Sequence, residues 1–304
     1  MRRESRARPV RRPSITPAAQ RTFPPGSEWL YMKIYCGYAT EDRLLAETIL
    51  PAMTAMRQDG RIDSWFFIRY LDPAFHLRLR VHGAPDVLWS TVLRELTSLF
   101  APMLESGTVA KVQLETYSRE VERYGGSEGV RIAEEVFEAD SDAVASAMPF
   151  LQADGELRWQ IGAYGAERLL VDCGLDLDAR LALMQALTDD FGREMGNDRG
   201  MRDDLARKNR AVRPALEALF ASAELQPWFA AYEERSRRTR PLIARIRSIE
   251  LEARYEDVVA SFLHMHLNRV FRFIPRRQER VLYDILHRRY LSERARGAKV
   301  APTR

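Results

Sequence analysis

The segment Phe75-His76-Leu77-Arg78-Leu79-Arg80-Val81 restricts the fold more than any other stretch of the chain. On a strand, side chains alternate between faces, so His76, Arg78 and Arg80 share one face while Leu77, Leu79 and Val81 share the other. Just upstream, Trp65-Phe66-Phe67-Ile68-Arg69-Tyr70 is apolar throughout except for Arg69, and Asp72-Pro73 supplies a turn between the two runs. The spacing predicts a hairpin over Ser64–Tyr70 and His76–His82. With so apolar a partner strand, both faces of the hairpin are covered. A guanidinium in a covered sheet needs an anion, because burying it unpaired costs several kcal/mol. That anion is either an internal Asp or Glu or a ligand carboxylate, which an Arg fork binds bidentately.

The neighbouring segments extend the pattern. Trp29 to Cys36 is rich in aromatic and branched residues and stops at Gly37, as a strand does. Thr40 followed by Glu41 and Asp42 marks a helix start, and Leu44, Leu45, Ile49, Ala52 and Met56 recur at helical spacing until Gly60. Asp86 to Leu104 is again helical, and Thr108 to Tyr117 alternates. Strand, helix, strand, strand, helix, strand is the ferredoxin-like split βαβ order, so the expected class is α+β with a mainly antiparallel sheet. After Gly126 the periodicity turns to 3.6 residues, predicting a mostly helical half with breaks near Asp140, Asp154-Gly155, Gly174, Gly196 to Gly200, Gln226-Pro227 and Pro275. The expected organisation is a disordered basic arm over 1–27 and a body over 28–293, followed by a basic tail over 294–304. Within the body, residues 28–126 form the α+β part and 127–293 the helical part.

The net charge of +4 gains meaning once it is located. Residues 1–22 hold seven Arg and one Glu, so the remainder of the chain carries a small negative balance. The arm lacks the apolar core of a secretory signal and is predicted to stay unfolded. Cys36 and Cys173 are the two cysteines, each in an apolar run, which argues against a disulfide framework or structural zinc site and favours the cytoplasm. No run approaches the roughly 18 apolar residues of a membrane span.

Two further clusters carry candidate chemistry. Glu120-Val121-Glu122-Arg123-Tyr124-Gly125-Gly126 joins the last strand to the helical half, and its glycines permit a sharp turn. As a phosphate loop, Gly125-Gly126-Ser127-Glu128-Gly129 fails the dinucleotide spacing and lacks a Lys-Ser/Thr ending. In Ser261-Phe262-Leu263-His264-Met265-His266-Leu267-Asn268-Arg269, the two histidines on a helix point about 200° apart and cannot share a metal. Apolar neighbours centre on His266, a candidate core histidine. Ser261, His264 and Asn268 form a polar stripe, which makes His264 the candidate for moving protons near neutral pH.

Taken in order, the hairpin, Asp72-Pro73, the Glu120 to Gly126 corner and His264 to Arg269 resemble the C-terminal domain of lantibiotic dehydratases, which also occurs as a free-standing thiopeptide-type bacteriocin biosynthesis protein. The resemblance covers most of residues 28 to 293. It implies a glutamate-elimination unit acting on a ribosomal precursor peptide with its leader, with a separate glutamyl-tRNA-dependent protein supplying the glutamylated Ser and Thr. It implies catalytic roles for Arg78, Arg80, Glu120, Arg123 and His264, with Arg69, His76, Tyr124, His266 and Asn268 assisting substrate binding. No metal or other cofactor is called for, nor DNA or a membrane, and a homodimer is compatible with it. The full Arg, Glu and His set favours elimination over the pyridine synthesis of some relatives, a formal four-plus-two cycloaddition of two dehydroalanines with leader release. A non-catalytic peptide-binding module is the alternative from another class.

Overall fold

The computed structural model describes residues 20–153, 157–196, 199–272 and 275–300. Strand β1 (Thr22–Phe23) leads into β2 (Trp29–Cys36), then α1 (Tyr38–Leu44), which runs through a π-helical turn, Leu45–Ile49, into α2 (Leu50–Gln58). The hairpin β3 (Ser64–Tyr70) and β4 (His76–His82) follows with the boundaries its alternation predicts. After the short helix α3 (Pro85–Val87) and a second π turn, Leu88–Val92, come α4 (Leu93–Glu105), β5 (Val109–Leu114) and β6 (Tyr117–Ser118). The main sheet has the order β3-β4-β2-β5 with every neighbour antiparallel, which is the ferredoxin-like arrangement. Leu77, Leu79 and Val81 are fully buried on one face, so the alternation translates directly into packing.

The helical half comprises α5 (Ser127–Ala153), α6 (Leu157–Asp172), α7 (Leu177–Met195), α8 (Arg199–Ala221), α9 (Phe229–Ser248), α10 (Tyr255–Val270) and α11 (Pro275–Val300). Its buried side chains join those of the sheet in one core. Both cysteines are buried and free, and burial pushes each thiol up to about 12. Among the described residues no helix is long and apolar enough to cross a membrane.

Three expectations are corrected. Thr22–Phe23, assigned to the unfolded arm, pairs with Tyr117–Ser118, because the Phe23 ring stacks on Tyr117 and meets the edge of Trp29. Residues 1–19, the Arg-rich part of that arm, lie outside the described residues, as does the break expected at Asp154-Gly155. Helix α5 runs straight through Asp140, whose carboxylate faces inward and accepts from Arg235 Nη1 at 2.8 Å, His266 Nδ1 at 2.8 Å and Arg269 Nη1 at 2.9 Å. A charged residue that looks like a helix interruption is here the anion of a buried cluster. Finally, α11 crosses residue 293 and takes the first part of the basic tail into the helix.

The outer edge of β3 is closed by side chains from the helical half. Phe67 N–H donates to Ser141 Oγ at 3.2 Å, and its carbonyl accepts from Arg269 Nε at 2.9 Å. Two residues on, Arg69 N–H donates to Asn268 Oδ1 at 2.9 Å and its carbonyl accepts from Asn268 Nδ2 at 3.0 Å. Backbone groups that would otherwise invite another strand are satisfied.

Candidate active site

Register builds the site. Arg80 lies opposite Tyr31 of β2 and Phe66 of β3, and His76 lies opposite Tyr35 and Tyr70. Cross-strand neighbours share a face, so each polar side chain of β4 is held between rings. The Arg80 guanidinium carbon sits 4.6 Å from the Tyr31 ring centre, 5.3 Å from Phe66 and 4.8 Å from Tyr117. Arg80 is only 8% exposed, its Nε has no acceptor, and among the described residues no carboxylate lies within 4.0 Å of it. Burial lowers its pKa, countered by Tyr117 and Tyr31. Burial in turn raises the pKa of Tyr31 and Tyr117, and the Tyr117 hydroxyl donates to Glu134 at 2.8 Å.

One step along the strand, the Arg78 guanidinium stacks 3.4 Å from the Tyr70 ring centre. Its Nε donates to His76 Nε2 at 3.2 Å, while His76 Nδ1–H donates to the Ala74 carbonyl at 2.8 Å. Burial holds the His76 pKa low, so the ring stays neutral and serves as an acceptor for Arg78. Arg78 has no carboxylate within 4.0 Å among the described residues either.

The Tyr-Gly-Gly corner brings a third cation. Gly125 and Gly126 have φ of +78° and +105°, and a Cβ at Gly126 would stand 2.8 Å from Glu252 Oε1. Only glycine fits this turn. The corner buries Tyr124 against Phe262, and burial raises its pKa, with Arg123 and Glu120 among the nearby charges. Arg123 Nη1 donates to Glu120 Oε2 at 2.9 Å and its Nε to Ser261 Oγ at 3.2 Å. Glu120 acts electrostatically on both Arg80 and Arg123, which ties the corner to the hairpin.

Across from them lies the polar stripe of α10. Ser261 holds Arg123, Asn268 holds the β3 backbone, and His264 stands between the two. His264 Nδ1–H donates at 3.1 Å to Glu279 Oε2, the carboxylate of a residue with no exposed surface. That bond sets the tautomer and leaves Nε2 free to accept a proton. Glu279 also acts on Arg123. The imidazole, held on Glu279, and the corner, held on Ser261, thus meet the same face of α10.

Three of the substrate-binding expectations are corrected. Arg69 donates to Glu41 at 2.6 Å, to Asp42 at 2.6 Å and to the Arg269 carbonyl at 2.8 Å, so internal acids answer this guanidinium. His266 is fully buried on Asp140, its pKa lowered mainly by burial, and cannot touch a peptide. Asn268 spends its amide on the β3 edge. Glu279, and the Tyr31, Phe66 and Tyr117 cage, are neighbours of the candidate residues that sequence reasoning did not reach.

The lantibiotic biosynthesis dehydratase C-terminal family matches residues 29–291. The chain belongs to that family. Nisin biosynthesis protein NisB of Lactococcus lactis subsp. lactis is 23% identical over 277 residues, covering 88% of this chain and 26% of NisB. The tRNA dependent lantibiotic dehydratase MibB from Microbispora sp. 107891 matches with a TM-score of 0.72 and 25% identity, over 90% of this chain and 29% of MibB. Pyridine synthase TbtD from thiomuracin biosynthesis matches with a TM-score of 0.61 at 18% identity, over 88% of this chain and 98% of TbtD, a likeness of fold. This member of the dehydratase C-terminal family thus spans under a third of NisB and of MibB.

Proposed function

We propose that the chain eliminates glutamate from glutamylated Ser and Thr side chains of a ribosomal precursor peptide, leaving dehydroalanine or dehydrobutyrine. The observation that carries this reading is Arg80, a buried guanidinium with no carboxylate partner among the described residues, with the half-buried Arg78 beside it likewise lacking a carboxylate. Sites built this way are short of an anion, and a glutamyl ester brings one and releases another. In the elimination, His264 Nε2 takes the Cα proton of the esterified residue. The C–H electron pair becomes the Cα=Cβ bond, the Cβ–O bond breaks, and glutamate leaves with the negative charge on its freed carboxylate. Fixed guanidinium groups of Arg78, Arg80 and Arg123 stabilise the enolate-like charge and the departing anion. Glu120 faces the glutamyl ammonium, and Glu279 holds the imidazole in its productive tautomer. A glutamyl-tRNA-dependent step supplies the ester.

Mass spectrometry of a glutamylated precursor incubated with the protein tests this. Loss of one glutamic acid per ester is expected. Release of an intact leader from a dehydrated peptide would instead mark pyridine formation, and an unchanged peptide would mark a binding module.

A further inference from the structure

A cavity lies away from the His264 cluster. It has a volume of about 490 Å³ and is lined by the start of α1, by α6, α8, the residues that follow α10, and the first turns of α11. Helix α11 is the partition: Glu279 faces His264, whereas Val281, on the opposite side of the helix, lines the cavity.

Its charge is lopsided. Arg158, Lys208, Arg272 and Arg277 stand on the wall. Asp42, the carboxylate that meets Arg158 and Arg272, is already shared, with Oδ2 accepting from Arg158 and lying 3.3 Å from Arg272 while Oδ1 takes Arg69. Lys208 and Arg277 have no carboxylate within 4.0 Å among the described residues. Arg158 is 7% exposed, and burial together with the fields of Arg69 and Arg272 draws its pKa down to about 10. The Nε of Arg158 and the Nε1 of Trp159 lack acceptors. Between the cations the wall is apolar, with Trp159, Val212 and Val281.

We infer that this cavity is an exosite for an acidic, aliphatic segment of peptide, distinct from the elimination centre. Its volume falls in the range of about 300–1,000 Å³ that holds several side chains rather than one inorganic ion. A run alternating carboxylates with aliphatic side chains answers both the cations and the apolar wall. A nucleic-acid backbone would meet the cations and leave the apolar wall uncovered. That the peptide is the precursor itself rests on the elimination reading; the binding site does not.

Fluorescence anisotropy with a labelled peptide of alternating leucine and aspartate tests the site on the full chain. Binding is expected, with loss when aspartate is replaced by asparagine. The double variant Lys208→Glu, Arg277→Glu should weaken it by at least about tenfold. Both side chains are exposed, and circular dichroism checks that the fold is kept. Glutamate release from a short glutamylated peptide without an acidic segment should be the same in parent and variant. Unchanged peptide affinity in the variant overturns the inference. So does tRNA binding more tightly than the peptide through the same two residues. If the parent releases no glutamate, the elimination reading falls while the anisotropy still decides the exosite.

Discussion

Replacing Arg80 by Met separates the two things a buried cation can do. In the folded protein the guanidinium loses its hydration, which costs several kcal/mol, and no carboxylate among the described residues offsets that loss. The three ring faces at 4.6, 5.3 and 4.8 Å return part of it, at most about 2 kcal/mol each for desolvated contacts. The two sides roughly cancel, so Arg80 adds little to stability. Methionine keeps the aliphatic packing and removes the charge. We expect Arg80→Met to be as stable as the parent or up to about 2 kcal/mol more stable, raising the melting temperature by roughly 2–4 °C per kcal/mol. Glutamate elimination should nevertheless fall by about 10²–10³, the usual loss on removing one preorganised donor. Thermal melts and single-turnover mass spectrometry on the same preparation give both numbers. Free glutamate should raise the melting temperature of the parent more than that of the variant. A variant destabilised by more than about 2 kcal/mol would refute the reasoning, since Arg80 would then be a structural cation whose partner has been missed. Full activity in a stable variant would refute its catalytic part.

Three further outcomes follow from the same geometry. His264→Ala should lower the elimination rate by about 10²–10⁴, and Glu279→Gln, which keeps the ring but loosens its aim, by about 10²; equal stability of both variants by thermal melt separates this from misfolding. Asp140→Asn leaves Arg235 and Arg269 buried without their anion and should cost about 3–5 kcal/mol in chemical denaturation; a loss below about 1 kcal/mol would contradict the cluster described. His287 has its pKa lowered by burial, so the unfolded chain binds its proton first. Its stability contribution is complete above the unfolded value of about 6.5 and is lost as pH falls from there through the folded value. His287→Asn should therefore gain in melting temperature relative to the parent as pH falls from near 8 to near 5.5; a constant difference across that range would contradict the shift.

The hairpin was legible because period two and a Pro-containing turn are local signals, and its ends fall where the alternation stops. The ferredoxin-like strand order followed from element order alone. What separates Arg69 from Arg80 was not legible. Both are arginines on neighbouring strands, and the acids that neutralise Arg69 sit in α1, where Glu41 and Asp42 look like solvent-facing residues complementing a helix dipole. Packing of α1 under the sheet turns them inward. Glu279 was out of reach for a similar reason, since it lies on a different helix from His264 and no spacing rule joins them. The polar stripe of Ser261, His264 and Asn268 was visible, yet its partners depend on which strand edge α10 meets.

The seam along β3 joins residues 199 positions apart in the chain. A fragment ending at Gly126 would therefore carry a bare ribbon of amides and carbonyls at Phe67 and Arg69, a template for sticking to its own copies. The helical half, cut loose, would keep Asn268 with nothing to grip and Arg269 with Asp140 as its partner. Neither piece is a portable module, and grafting this chemistry elsewhere means moving the whole fold.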